Sequence, residues 1–434
     1  MSVPIRSALA FALLACVATA QDRPLLLQNG VAHLGSDAPL RGCSILIEGR
    51  TIQAVGLVIS APAGAEVIDL QGQHVYPGLI DADTVLGLSE IDSIAGPRDT
   101  QEVGEINPNL RAELSVNPDS ELLPVARTGG VLLACVGARS GLINGTSAVI
   151  YTDGWTWEDM TVRAPASLLM RWPSMRIDRS GQHADPVEKQ LEDRGAKLRQ
   201  LEEAIANAAA YWRAREALDA ERMPGDVKWD ALRAVVDVGE GGYTRPRLPV
   251  AVHADRLDQI RAALDFAQRH KLKLILVGAS DGWRIADELA ERNVPVILGP
   301  VQSLPTRAWA GLNVAYENAG KLHAAGVKLA FSTGPSTFTV SNVRNLRLQA
   351  AQAVAHGLPA LAAERALTLG AAEILGVAER VGSLQEGKEA TLFVASGDIL
   401  ETPTRVTRAW IAGRNVSLRD RQQRLYERYR QRPR

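Results

Sequence analysis

Three cysteines in 434 residues, Cys16, Cys43 and Cys135, are too few for a disulfide framework. Cys43 and Cys135 stand in apolar, strand-like runs far apart in the chain, so both are read as buried free thiols. No stretch beyond the first twenty residues approaches the roughly 20 uninterrupted apolar residues that a membrane-spanning helix needs, which predicts no transmembrane span. Charge of neither sign dominates: 48 Lys+Arg face 49 Asp+Glu. There is therefore no global basic field to hold phosphates, and no nucleic-acid partner is expected. What is present, 46% hydrophobic and 22% charged residues, is the composition of an ordinary globular protein. The length suits two or three domains, or one large barrel with additions.

The first twenty residues, MSVPIRSALAFALLACVATA, place one Arg before an apolar run from Ala8 to Val17 and end in Ala18-Thr19-Ala20. This is the pattern of a secretory signal peptide over residues 1–20, directing the chain to the periplasm or cell envelope. Leu13-Leu14-Ala15-Cys16 also has the form of a lipoprotein box, which would leave Cys16 as a lipid-bearing first residue.

Short strand and turn signals occupy residues 24–74. From Pro249 a repeat takes over: PVAVHA, the amphipathic RLDQIRAALDFAQRHK, LKLILVGA, WRIADELAERN, VPVILGP and, after one more helix, VKLAFSTG. Apolar strands alternating with helix-period segments predict parallel strands buried on both faces, in an α/β sheet or barrel. GLIDADTVLG, GVLLACVG, SAVIYTDG and LLMRWP bring the strand count towards eight, and about 300 residues of such units fit a (β/α)8 TIM barrel carrying insertions. Residues 185–238, rich in Ala, Glu, Arg and Leu with charges of alternating sign, read as an amphipathic helical insertion. Residues 380–418 return to strands, and 419–434 form a basic tail with seven Arg against Asp420 and Glu427, read as a solvated terminal helix.

The run Val75-Tyr76-Pro77-Gly78-Leu79-Ile80-Asp81-Ala82 resembles the start of the barrel in the amidohydrolase superfamily, in its imidazolonepropionase-like and dihydroorotase-like branches. Ala366-Leu367-Thr368 with Ala371-Ala372-Glu373-Ile374-Leu375-Gly376 resembles the last barrel helix of that family. Gly382-Ser383-Leu384-Gln385-Glu386-Gly387-Lys388-Glu389-Ala390 resembles the return into its β-sandwich, with Thr391 where an Asp is usual. The resemblance implies an α/β fold in which a barrel over residues 75–379 is flanked by a small β-sandwich subdomain made of residues 24–74 and 380–418. It also implies a metal-dependent hydrolase of carbon–nitrogen bonds. In such a site two histidines of an HxH motif, further histidines on the fifth and sixth strands and an Asp on the eighth hold the metal, which makes hydroxide available near neutral pH.

The matching positions here are largely substituted. Asp83 and Val85 stand at the HxH positions, Gly278 at the sixth-strand histidine and Gly334 at the eighth-strand Asp, and only His253 remains. No metal cofactor is expected, and Zn only if ligands have moved elsewhere, because a zinc site needs three protein ligands. His33, His74, His183, His270, His323 and His356 are read as surface or packing residues.

His253 is read as either a remnant polar group or a working acid or base, with Asp83 or Asp255 to orient or charge it. Arg139 and Asn144 in the Gly-rich loop after the second strand, Trp155 and Trp157, and Ser332 and Thr333 after the eighth strand are candidates for contact with a small molecule or short peptide at the barrel mouth. Two functions follow: a ligand-binding or partner subunit whose metal centre has decayed, paired with itself or with a related amidohydrolase, or an active hydrolase using His253.

Overall fold

The computed structural model describes residues 23–432 except 36, 180–183, 218–223, 237–247, 306 and 308. The segment 1–20 expected to be a signal peptide, with Cys16, and His183 lie outside the described residues. The N-terminal strands are β1 (Leu25–Ala32), β2 (Leu40–Glu48), β3 (Thr51–Gly56), β4 (Glu66–Asp69) and β5 (His74–Pro77). The next eight are β6 (Leu79–Thr84), β7 (Val131–Val136), β8 (Ile143–Tyr151), β9 (Thr161–Arg171), β10 (Val250–Ala254), β11 (Leu274–Gly278), β12 (Val296–Leu298) and β13 (Leu329–Phe331). β14 (Leu392–Ala395), β15 (Val406–Ile411) and β16 (Arg414–Asn415) complete the set.

The strands β6 to β13 form one sheet in chain order, nearly closed into a barrel. Where β13 comes round to β6, the Ser332 hydroxyl donates to the Asp83 carbonyl at 2.6 Å and the Thr333 N–H to Asp81 Oδ1 at 3.2 Å. These strands read as unbroken apolar runs because both faces are covered: β7 and β8 are buried along their whole length. The helix Leu257–Arg269, for example, buries Ile260, Ala263, Leu264, Phe266 and Ala267 against the barrel core.

The barrel departs from the expected all-parallel pattern at one strand, because β8 is antiparallel to both β7 and β9. Residues 137–142 join β7 to β8, and six residues make a hairpin but not a parallel crossover. The fourth and seventh barrel positions are β9 and β12.

The outer strands assemble into a second sheet, ordered β16-β15-β14-β5-β1-β2-β3 with β4 also paired to β1. Successive residues of its central strands serve two cores. Val75, Leu392 and Val394 join a small apolar cluster with Leu27, Ile45 and Trp410, while Tyr76, Phe393 and Ala395 join the barrel core. Polar ties fix the junction. His33, 5% exposed, bridges Glu364 at 2.8 Å and His74 at 2.9 Å, so these two histidines are packing groups. Arg127 pairs with Asp153 at 3.2 Å and donates to the Ser417 carbonyl at 2.9 Å.

The insertion forms the helix Val187–Ala217, whose buried Leu201, Ala204, Ile205 and Ala208 recur at helical spacing. The tail forms the helix Arg421–Arg430, anchored by Arg424 on Glu121 at 2.5 Å. Cys43 and Cys135 are buried free thiols. Among the described residues, no helix is long and apolar enough to cross a membrane.

Candidate functional site

The C-terminal ends of β6, β9, β10, β11 and β13 converge at one end of the barrel, the end at which barrel sites are built. On β6, Asp81 and Asp83 point into the barrel as alternate residues, both buried. Beyond β7 the chain passes Gly137, where a Cβ would lie 2.2 Å from a Leu169 methyl, and then sends Arg139 back across the opening.

The Arg139 guanidinium lies between the first and fifth barrel strands. Its Nη2 donates to Asp83 Oδ1 at 2.5 Å and its Nη1 to His253 Nε2 at 2.9 Å, while Asp83 Oδ1 and His253 Nε2 are 3.8 Å apart. All three side chains are shielded, with 9%, 6% and 18% exposure for Arg139, Asp83 and His253. A guanidinium has no acceptor, so Nε2 contributes its lone pair and the imidazole is neutral with its proton on Nδ1. The electrostatics agree. Burial lowers His253 to about 4, Asp83 opposes that shift, and Arg139 and Arg171 reinforce it. The nitrogen lone pair that a metal would need is committed to Arg139.

Asp81 occupies a different environment. Thr333 donates to it from Oγ1 at 2.5 Å and from N–H at 3.2 Å, and the Asp83 N–H lies at 3.4 Å. Burial pushes its carboxyl up to about 7 despite those hydrogen bonds.

The donor set does not fit a divalent metal. Val85 is fully buried in the core, Gly278 and Gly334 carry no donor, and Asp83 and His253 both hold the same arginine. Among the described residues, no group of three or more His, Cys, Asp or Glu is placed to hold a metal ion. Two polar atoms of the cluster, Asp83 Oδ2 and Arg139 Nε, are buried without a partner among the described residues. They are donor and acceptor sites that a polar ligand or water can satisfy.

Of the residues singled out in the sequence, the structure brings together Asp83, His253 and Arg139 directly. Ser332 and Thr333 act behind them by holding β6. Asp255 does not orient His253 by a hydrogen bond, since its Oδ1 accepts from the Ser280 hydroxyl at 2.6 Å and the Ser280 N–H at 3.3 Å; it acts on the imidazole only through its charge, which like that of Asp83 opposes the effect of burial. Asn144 sits near the mouth end of β8 but is 2% exposed, packed rather than offered to a ligand.

Trp155 and Trp157 are corrected more strongly. Because β8 runs against its neighbours, its end returns to the opposite end of the barrel, where Thr152 N–H bonds the Leu132 carbonyl and Asp153 pairs with Arg127 and with Arg414 of β16. The two tryptophans therefore follow a strand that leads away from the mouth.

In the Gly-rich loop after β7, three backbone N–H groups are committed within the protein. Those of Arg139, Leu142 and Ile143 donate to carbonyls of Thr100 and Glu105 in the long loop after β6. Sequence reasoning missed Asp81 and Arg171. Arg171 ends β9, donates to the Arg139 carbonyl at 2.5 Å and helps keep His253 neutral. Its position as the last residue of a barrel strand was the available signal.

Cavities adjoin the described residues at the barrel mouth and away from it. One of about 250 Å³ opens beside the ends of β10, β11 and β12. A larger cleft of about 680 Å³ lies on the outer sheet among Asp69, Gln71, Arg408 and Asn415, away from the barrel mouth.

Comparison with known proteins agrees with this architecture. Among solved structures, an amidohydrolase from Thermotoga maritima MSB8 superposes with a TM-score of 0.78 at 25% identity, covering 91% of this chain and 100% of that one. A Xaa-Pro dipeptidase with bound methionine in its active site, 15% identical with a TM-score of 0.53 and covering 91% of this chain and 99% of that one, shares the fold. Amidohydrolase tasK from Hapsidospora irregularis is 22% identical over 440 residues, covering 90% of this chain. The chain spans 43% of the length of that curated relative. The model of the amidohydrolase family matches residues 171–416, more than half of the sequence, and the chain belongs to that family.

Proposed function

We propose that this protein is an exported member of the family that binds a small polar molecule or short peptide at the barrel mouth without a hydrolytic metal centre. It would serve as a ligand-binding or partner subunit, on its own or beside an active relative. The observation that carries this reading is Arg139, which links the first-strand and fifth-strand positions with a built-in cation and takes up the Nε2 lone pair of His253. The unpartnered Asp83 Oδ2 and Arg139 Nε support a role in binding, since they leave polar capacity inside a shielded mouth.

The alternative is retained hydrolysis of a carbon–nitrogen bond with His253 as a metal-free base. That reading requires Arg139 to release Nε2, and a histidine held near 4 is a weak base at neutral pH.

A hydrolysis screen against dipeptides, lactams and hydantoins, run on the full chain and on His253→Ala, separates the two. The proposal expects the two proteins to be indistinguishable from each other and from buffer. Turnover by the full chain that disappears in His253→Ala would establish the alternative.

A further inference from the structure

At the sixth-strand position Gly278 has a φ of +91°, and a Cβ there would lie 2.7 Å from Asp255 Oδ1. A side chain at 278 would thus collide with a carboxylate that instead faces the cavity beside β10, β11 and β12. That cavity, about 250 Å³, is lined by Asp255, Ser280, Trp283, Pro300, Leu304 and Trp309 among others, with the bare backbone of Gly278 and Gly299 in its wall.

Its charges are unequal in availability. Asp281 is spent: its Oδ2 pairs with Arg307 at 2.7 Å and accepts the Leu257 N–H at 2.9 Å. Asp255 is solvent-exposed and aimed by Ser280 through two hydrogen bonds to Oδ1, and among the described residues no basic side chain forms an ion pair with it. With Arg307 and Asp281 cancelling, one negative charge remains on the lining. The walls are apolar and aromatic: Trp309 is 69% exposed and Leu304 83% exposed, an unusual display for such large side chains. Trp283 adds an indole N–H that is buried without a partner among the described residues. Both indoles already attract cations: Lys321 Nζ lies 4.7 Å from the Trp283 ring centre, and the Arg307 and Arg284 guanidiniums lie 5.4 and 5.8 Å from that of Trp309, so the open face for a further ammonium is the Asp255 side of the cavity. Lys321 is itself balanced by Glu317 at 2.8 Å.

We propose that this cavity is a binding site for a primary ammonium group carried on an apolar, aromatic or branched aliphatic body. The ammonium pairs with Asp255, and the body lies between the tryptophans and the Pro300–Leu304 wall. The inference rests on reading the barrel mouth as a binding site and names the ligand class that this part of it accepts.

The test titrates the full chain with 2-phenylethylamine, 2-phenylethanol and phenylacetate by calorimetry, with thermal unfolding in parallel. The amine is expected to bind and raise the midpoint, and the alcohol and the acid to bind at least about tenfold more weakly. Asp255→Asn should weaken the amine by about tenfold or more, and Ser280→Ala, which leaves the carboxylate but not its orientation, by a smaller factor. Added salt should weaken the amine as well, because Asp255 is exposed. Absence of amine binding, equal binding of phenylacetate, or wild-type affinity in a folded Asp255→Asn variant would overturn the proposal. Amine binding by a protein that also hydrolyses dipeptides would leave the cavity assignment standing and remove the wider reading. No amine binding by a protein without hydrolysis would do the reverse.

Discussion

Arg139→Met is expected to destabilise the protein by about 3–5 kcal/mol, the cost of stranding one partner of a buried ion pair. The size follows from the shielding: Asp83 is 6% exposed, its Oδ1 takes the Arg139 hydrogen bond at 2.5 Å, and its Oδ2 has no partner among the described residues. Methionine keeps much of the volume, so the loss reports the charge and hydrogen bonds rather than a cavity. Asp83→Asn in the same chain removes the stranded charge and should recover part of the loss. Denaturant unfolding of the four proteins of this cycle gives the coupling directly. A loss within about 1 kcal/mol with no coupling would place the pair with exposed ion pairs and contradict its assignment as the centre of the site.

Asp81→Asn is expected to stabilise the protein above neutral pH and to change little in acid. The folded carboxyl lies at about 7 and its ordinary value is 3.8. Between these, the folded protein keeps a proton that the unfolded chain has released, so stability falls as pH rises from about 4 to about 7. Each pH unit of that interval is worth about 1.4 kcal/mol, about 4 kcal/mol in all. Asparagine keeps an acceptor for Thr333 and never ionises, so the variant lacks this slope.

His253 works in the opposite sense. Its folded value of about 4 lies below the ordinary 6.5, so stability is lost as pH falls through that range, but this contribution is common to both chains and cancels in their difference. Unfolding midpoints of wild type and variant from pH 4 to 8 check the point. A difference that stays flat across that range would mean that Asp81 is ionised throughout.

The barrel was legible because buried parallel strands announce themselves as apolar runs between amphipathic helices. PVAVHA, LKLILVGA, VPVILGP and VKLAFSTG lead into or span β10 to β13. The direction of β8 was not legible from its residues, since a strand buried on both faces has no alternation and no polarity. The six residues 137–142 were the readable clue, too short to carry a crossover, and missing it sent Trp155 and Trp157 to the wrong end of the barrel.

Substitution of the ligand positions was visible residue by residue, whereas the replacement was not. Arg139 stands 56 positions from Asp83 and 114 from His253, and only the closing of the barrel brings the three together. Burial, which sets Asp81 and His253 apart from ordinary carboxyl and imidazole groups, is likewise a property of the closed sheet rather than of any local motif.

The central claim is that Arg139 stands where the family's chemistry would place a metal. Elemental mass spectrometry of the purified protein tests it most directly, after purification without chelators and again after incubation with zinc and manganese salts and desalting. The account predicts no stoichiometric metal in either preparation. Stoichiometric zinc or manganese, retained through desalting, would contradict it.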